Sequence, residues 1–112
     1  MQTVVETAPY LSDAERIFTA EERGEILDAV ASDPTCGVVV PGSGGIRKVR
    51  FAFGGRGKSG GARIIYFYGG DEIPIFLLAA FAKNEKSDLS GKERAALAKA
   101  VTQMLLSHRR RK

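Results

Sequence analysis

The 112-residue sequence predicts one α+β domain: an antiparallel sheet, formed by an N-terminal strand and a three-strand meander, packs against two N-terminal helices and is followed by a C-terminal helix. Two observations support this fold class. Near each end of the chain, a capping-box sequence is followed by apolar residues at helical spacing. Between them, β-branched and aromatic residues alternate with polar residues and are separated by glycine-rich turns. Neither a repeat nor a linker divides the sequence, so residues 1–112 are interpreted as a single domain.

The N-terminal third is predicted to hold a short strand and two helices. Residues 3–5 are β-prone, and Pro9 is typical of the first turn of a helix. A second helix is predicted to begin at Thr19, because Thr19 and Glu22 have the spacing of a capping box. It should end before residues 33–34, where an Asp-Pro pair stops a helix. We expect the apolar sides of both helices to pack on the sheet.

The central region is predicted to form the meander. A brief strand at residues 38–40 precedes a turn, and the three strands of the meander follow at residues 46–53, 63–68 and 73–81. The third of these is apolar on both faces, which is typical of a central strand. In the first, apolar side chains alternate with Lys48 and Arg50, so both cations should lie on the face opposite the core.

The last helix is predicted from a second capping box, Ser90 with Glu93, and from an apolar stripe at helical spacing. The stripe comprises Leu97, Val101, Met104 and Leu105. The helix ends in four cations at residues 109–112, which are interpreted either as a solvated helix end or as an RNA contact.

Charge is distributed unevenly along the chain. The formal net charge is +4, yet residues 1–36 carry eight acids and two bases, so the remainder carries +10. Residues 44–63 contain six cations and no acid: Arg47, Lys48, Arg50, Arg56, Lys58 and Arg63. Such a stretch attracts phosphate backbones, and a solvated basic loop is the equally weighted alternative.

Several classes of function are disfavoured by the composition. The single cysteine, Cys36, excludes an internal disulfide, and with only one histidine, His108, the chain lacks the usual ligands of a zinc site. The longest apolar run, residues 73–82, is shorter than the roughly 20 residues of a membrane span. Residues 1–10 lack the pattern of a secretory signal, so we expect a cytoplasmic protein with no membrane partner.

Two segments carry a resemblance to a known family: GIRKVRFAFGGRGKSGGARIIYFY and, after a short turn, IFLLAAFAKNEKSDLS. They resemble toxins of bacterial type II toxin–antitoxin systems of the RelE/HigB superfamily, most closely the HigB branch. The similarity extends from about Gly44 to the final helix. It implies a RelE-like fold and a metal-independent endoribonuclease, without a cofactor, that enters the A site of the 70S ribosome, cleaves mRNA and inhibits translation. It also implies a cognate helix-turn-helix antitoxin of the HigA type.

The resemblance further implies a catalytic set. Lys48 is expected to act as proton acceptor or electrostatic activator, Arg50 and Arg63 to hold the scissile phosphate, and Lys83 to be a fourth cation. Further RNA contacts are expected from Arg47, Arg56, Lys58, Tyr66, Tyr68, Asn84 and Lys86.

The chain departs from the RelE pattern at two positions. An arginine stands in RelE-like members where this chain has Asn84, and a tyrosine stands near the position of Ser90. Tyr66 or Tyr68 is therefore a candidate for the missing phenol or for a surface on which a base stacks, with core or cross-strand packing as the alternative.

The same superfamily fold also occurs in ParE-type gyrase inhibitors, and an inactive RNA- or antitoxin-binding module is a further alternative. We expect the cations to converge on one face, which favours RNA cleavage over gyrase inhibition, and the inactive binding module stays an open alternative.

Overall fold

The computed structural model describes residues 2–52, 61–86 and 88–110, with side chains as far as His108. It contains three helices and five strands, and it confirms the α+β class. In chain order these are β1 (Val4–Glu6), α1 (Ala8–Ile17), α2 (Ala20–Ser32), β2 (Val38–Val39), β3 (Ile46–Phe51), β4 (Ala62–Phe67), β5 (Ile75–Ala82) and α3 (Gly91–Arg110). Phe53, expected at the end of the first meander strand, lies outside the described residues.

The five strands form one sheet in the order β1-β5-β4-β3-β2. Strands β3, β4 and β5 are the predicted antiparallel meander, and β2 extends it at one edge. The expectation of an antiparallel N-terminal strand is corrected, because β1 pairs with β5 in parallel, with Val4 opposite Ile75. A long connection through α1 and α2 separates β1 from the rest of the sheet, so no hairpin dictates its direction.

One face of the sheet packs against α1 and α2. Tyr10 of α1 and Ile26 of α2 are fully buried against Ile64 of β4 and Leu77 of β5. Val49 of β3 is half-buried on the same side, as the alternation in that strand predicts.

The opposite face packs against α3. Val101 of α3 is buried with Ile46, Ile65 and Phe81, which come from the three meander strands. Each strand of the meander therefore contributes to two cores, one on each face of the sheet. The face on which Lys48 was predicted is consequently not open along its whole length, because α3 covers part of it.

The helix starts confirm both predicted capping boxes. The hydroxyl of Thr19 accepts the backbone N–H of Glu22 at 3.1 Å, and the Glu22 carboxylate accepts the N–H of Thr19 at 3.0 Å. The same reciprocal pair joins Ser90 and Glu93, at 3.1 and 2.8 Å. These bonds satisfy backbone donors that a helix leaves free at its N-terminus. Within the described part of the chain, no helix is long and apolar enough to cross a membrane.

A buried phenol ties the connection between α2 and β2 to the centre of the sheet. The Tyr66 hydroxyl accepts the N–H of Gly37 at 2.8 Å and donates to the carbonyl of Pro34 at 2.7 Å. A Cβ at Gly37 would lie 2.8 Å from the Tyr66 hydroxyl oxygen and 2.9 Å from the Lys48 carbonyl oxygen. Only glycine therefore fits at this crossing, and β2 is held in register beside β3.

Two Tyr→Phe substitutions should separate a satisfied buried hydroxyl from an unsatisfied one. Tyr66→Phe leaves the Gly37 N–H without its acceptor and should lower the free energy of unfolding by about 1–3 kcal/mol. The Tyr10 hydroxyl is equally buried but has no hydrogen-bond partner among the described residues, so Tyr10→Phe should be neutral or stabilising. Urea unfolding of both variants measures the difference, and equal destabilisation would contradict this account.

Candidate nucleic-acid interface

Three of the four predicted catalytic cations lie on one face of the sheet. Lys48 and Arg50 lie two and four positions after Ile46 on β3 and so share its face of the sheet, and the Ile46 side chain is buried on the α3 side. Arg63 of β4 stands directly opposite Arg50 in the β3–β4 register and shares its face of the strand with Ile65, which is also buried on the α3 side. The cations therefore lie on the face of the sheet that packs against α3, and along β3 this face changes from buried at Ile46 to exposed at Arg50. We call Lys48, Arg50 and Arg63 the cation cluster.

Arg50 and Arg63 are a pair of like charges at a position where opposite charges would stabilise the sheet. Side chains of directly opposed residues have Cβ atoms about 5 Å apart, and like charges there are destabilising. The Nη1 atom of Arg63 is buried and has no hydrogen-bond partner among the described residues. The other guanidinium donors of the two arginines are suited to bidentate binding of a phosphate oxygen pair.

Lys48 forms an ion pair with Asp88, an acid that was not among the residues predicted for the site. Its Nζ lies 3.0 Å from Oδ2 of Asp88, which precedes α3. The hydrogen bond from Lys48 is the main cause that lowers the pKa of the Asp88 carboxyl below its ordinary value of 3.8. The ion pair places the Lys48 ammonium on this face of the sheet, where it is suited to an electrostatic role. Asp88 lies in the KNEKSDLS segment, but its separation of 40 residues from Lys48 leaves no local signal of the pairing.

Lys83 lies at the same end of the sheet as Arg63. It directly follows β5, and its backbone N–H donates to the carbonyl of Gly61 at 3.0 Å, next to the start of β4. The side chains of Lys83 and of Asn84, in the following turn, are exposed. Both are near the cation cluster in the fold.

Lys86 lies over an aromatic ring beside the cluster. Its Nζ is 5.0 Å from the ring centre of Phe81, which stands directly opposite Arg63 in the β4–β5 register. The same ammonium forms an ion pair with Glu93 in the first turn of α3. Lys86 is thus adjacent to the cation cluster, with its charge shared between an acid and a ring face.

Three other predicted RNA contacts, Arg47, Tyr66 and Tyr68, lie on the face of the sheet opposite the cation cluster. Tyr66 is 0% exposed, and burial raises the pKa of its phenol above the ordinary value of 10.0. Arg47, opposite Tyr66, donates from Nη1 to the Gly37 carbonyl at 2.8 Å. Tyr68 packs beside the α1–α2 core, and its hydroxyl donates to Asp71. Neither tyrosine offers a phenol or a stacking surface at the cation cluster. The packing alternative is the one observed.

Two remaining predicted contacts, Arg56 and Lys58, lie outside the described residues. Within the described ranges, no group of three or more His, Cys, Asp or Glu side chains is placed to hold a metal ion.

A groove of about 480 Å³ lies next to the cluster, between α1, the open edge of β5 and α3. Its polar lining is mainly acidic, with Asp13, Glu85 and Glu93 set against Arg16 and Lys86. Asp13 accepts the N–H of Ala80 at 3.0 Å, and Glu85 accepts that of Ala82 at 3.0 Å. These carboxylates accept hydrogen bonds from backbone N–H groups of β5 on the edge that faces away from β4, where no strand pairs with it. A polyanion is therefore better matched to the cation cluster than to this groove.

Comparison with known proteins agrees with the fold. A family model described as the RelE toxin of the RelE/RelB toxin–antitoxin system matches residues 27–111. Among solved structures, a double mutant of E. coli toxin RelE in the free state superposes with a TM-score of 0.55 at 13% sequence identity, covering 76% of this chain and 86% of that one. At this identity, the structural likeness bears on the fold alone.

Removing one arginine of the opposed pair should stabilise the protein. Arg50→Thr relieves the repulsion from Arg63 and should raise the free energy of unfolding by about 0.2–1 kcal/mol, with a smaller gain at high salt. Arg47→Thr, on the same strand but hydrogen-bonded to Gly37, should destabilise and is the matched control. Urea unfolding at two salt concentrations tests this. A loss of stability in Arg50→Thr would show that Arg50 makes a net favourable contact.

Gly61 should be required for the geometry of the cluster. Its φ is +82°, and an added Cβ would lie 2.7 Å from the Phe51 carbonyl oxygen and 3.1 Å from Nε of Arg50. Gly42 has a similar φ of +70° with no atom within 4 Å, so Gly42→Ala should incur only the backbone cost of about 1–2 kcal/mol. Gly61→Ala should be more destabilising and should also weaken single-stranded RNA binding, as measured by urea unfolding and fluorescence anisotropy. Equal effects of the two variants would rule out the contact with Arg50.

Proposed function

The chain belongs to the RelE toxin family of toxin–antitoxin systems, and on this premise we propose that it is a HigB-like, ribosome-dependent endoribonuclease that cleaves mRNA in the A site of the 70S ribosome. The proposal includes a metal-independent reaction without a cofactor. Action on ribosomes implies a cytoplasmic protein.

The observation that carries the proposal is the opposed pair Arg50 and Arg63, with Nη1 of Arg63 buried and unpartnered among the described residues. The like-charge repulsion between the two arginines is costly in the free protein, and binding of a phosphate would relieve it. A gyrase inhibitor that does not act on RNA has no need of two arginines and a lysine on one sheet face. The cation cluster therefore supports cleavage of RNA over the gyrase-directed alternative.

The proposed reaction uses the substrate's own ribose as the nucleophile. The 2′-hydroxyl releases its proton to solvent water, its oxygen attacks the adjacent phosphorus, and the bond to the 5′-oxygen of the next nucleotide breaks, which leaves a 2′,3′-cyclic phosphate and a 5′-hydroxyl. Arg50 and Arg63 would stabilise the negative charge that grows on the phosphorane oxygens. Lys48, as an ammonium paired with Asp88, would stabilise the same charge and supply a proton to the leaving 5′-oxygen, in place of the proton-acceptor role expected from the sequence.

The proposed partners are mRNA, the ribosome and an antitoxin. Family membership supports a cognate antitoxin, and the HigB-like sequence segments support one of the HigA type with a helix-turn-helix domain. The neighbouring reading frame tests this part of the proposal directly, because it should encode a small helix-turn-helix protein.

Cleavage should depend on the cation cluster. Lys48→Ala and Arg63→Ala should each reduce cleavage of mRNA on purified, programmed ribosomes by about 100-fold or more, because each removes a cation from the developing charge. Lys99→Ala changes the net charge equally at an exposed position of α3 and should leave the rate unchanged. Mapping of 5′ ends in cells that express the wild-type chain should show codon-phased cuts in translated messages.

Three results would contradict parts of the proposal. Full cleavage by the Arg63→Ala variant would remove the site assignment while leaving the activity intact. Intact mRNA together with induced DNA damage would instead favour the gyrase-directed function, and intact mRNA without toxicity would favour an inactive binding module.

A further inference from the structure

Asp88 is the one carboxylate with a hydrogen bond to the cation cluster among the described residues. Its Oδ2 accepts from Lys48, while its Oδ1 accepts the backbone N–H of Leu89 at 2.8 Å. The bond from Leu89 orients the carboxylate, because it holds Oδ1 against the backbone and leaves Oδ2 facing Lys48.

The backbone around Asp88 is anchored to the core and to α3. Leu89 packs into the cluster of apolar side chains between α3 and the sheet. Ser90 closes the capping box of α3 with Glu93. Asp88 therefore occupies a place determined by the start of a 20-residue helix rather than by a loose loop.

Lys48 is a side chain that needs an anchor to be held in one position. A lysine ammonium sits on a flexible four-carbon stem, and ordering that stem costs up to about 2 kcal/mol of side-chain entropy. The ammonium has three N–H donors, of which Asp88 uses one, so two remain for substrate oxygens. The Lys48 side chain is 34% exposed, so its ammonium is held and still accessible.

We propose that Asp88 is a positioning residue, which holds the Lys48 ammonium against the sheet face so that it meets the scissile phosphodiester in a productive geometry. This inference rests on the proposed endoribonuclease function. Asp88 itself donates no proton and contacts no substrate in this role.

The role has a kinetic signature that a purely structural role lacks. A carboxylate close to a phosphodiester repels it, so Asp88 opposes binding of RNA while it favours the chemical step. Loss of the charge should therefore slow cleavage without weakening binding. A carboxylate that merely blocks Lys48 in the free protein would give the opposite result, a faster reaction after its removal.

The test compares Asp88→Asn and Asp88→Ala with Asp28→Asn. Asp28 is exposed on α2, which packs on the other face of the sheet, and its change to Asn alters the net charge equally. Single-turnover cleavage on programmed ribosomes is measured over a range of toxin concentrations. Asp88→Ala should lower the saturating rate constant by about 10- to 100-fold, because displacing a catalytic group by about 1 Å has such an effect.

Asp88→Asn should fall between Asp88→Ala and the wild type, since an amide oxygen still accepts a hydrogen bond from Lys48 but lacks the charge. The half-saturating toxin concentration should be unchanged or lower in both variants. Asp88→Glu, which restores the charge on a longer side chain, should recover most of the rate. Thermal unfolding of each variant confirms that the fold is retained, as the 54% exposure of the Asp88 side chain leads us to expect.

The outcomes separate this inference from the function on which it rests. A wild-type chain that cleaves no mRNA overturns both. An active wild type with Asp88 variants that match Asp28→Asn, or that react faster, overturns the positioning role alone. A raised half-saturating concentration at an unchanged saturating rate would also overturn it, because Asp88 would then serve binding.

Discussion

Arg50 stands opposite Arg63 because β3 and β4 pair in a single register, and most of the molecule depends on that register. A shift by one residue would exchange the two faces of a strand. It would carry Lys48 and Arg50 into the α1–α2 core and expose Val49. Apolar packing on both faces of the sheet excludes this shift, so the position of the cations follows from the burial of their neighbours.

The cation cluster is unfavourable on its own. It contains a like-charge pair, and a buried guanidinium nitrogen lacks a hydrogen-bond partner among the described residues. Two cores offset this cost, one on each side of the sheet. Binding of an anion between Arg50 and Arg63 would convert their repulsion into attraction, since both guanidinium groups would then face a phosphate. Locally unfavourable polar groups supported by a well-packed scaffold are typical of functional sites.

Helix α3 links packing with the proposed chemistry. Its apolar stripe covers one part of the cation face, and its capping box orders the segment that carries Asp88. The boundary between covered and open sheet therefore falls beside Lys48, whose ammonium is held at that boundary. Helices α1 and α2, which hold most of the acids of residues 1–36, pack on the other face of the sheet.

Much of this could be predicted from residue order alone. Local signals determine both capping boxes, the meander and the alternation that separates Lys48 from Val49, because each depends on residues a few positions apart. The same alternation predicts that Tyr66 lies on the face opposite Arg63, and so argues against a stacking role for Tyr66 beside the cation cluster. The tertiary structure alone decided the parallel pairing of β1 with β5, the covering of the cation face by α3 and the ion pair between Lys48 and Asp88. These contacts join segments far apart in the chain, and their geometry depends on how whole elements pack, for which no local pattern in the sequence exists.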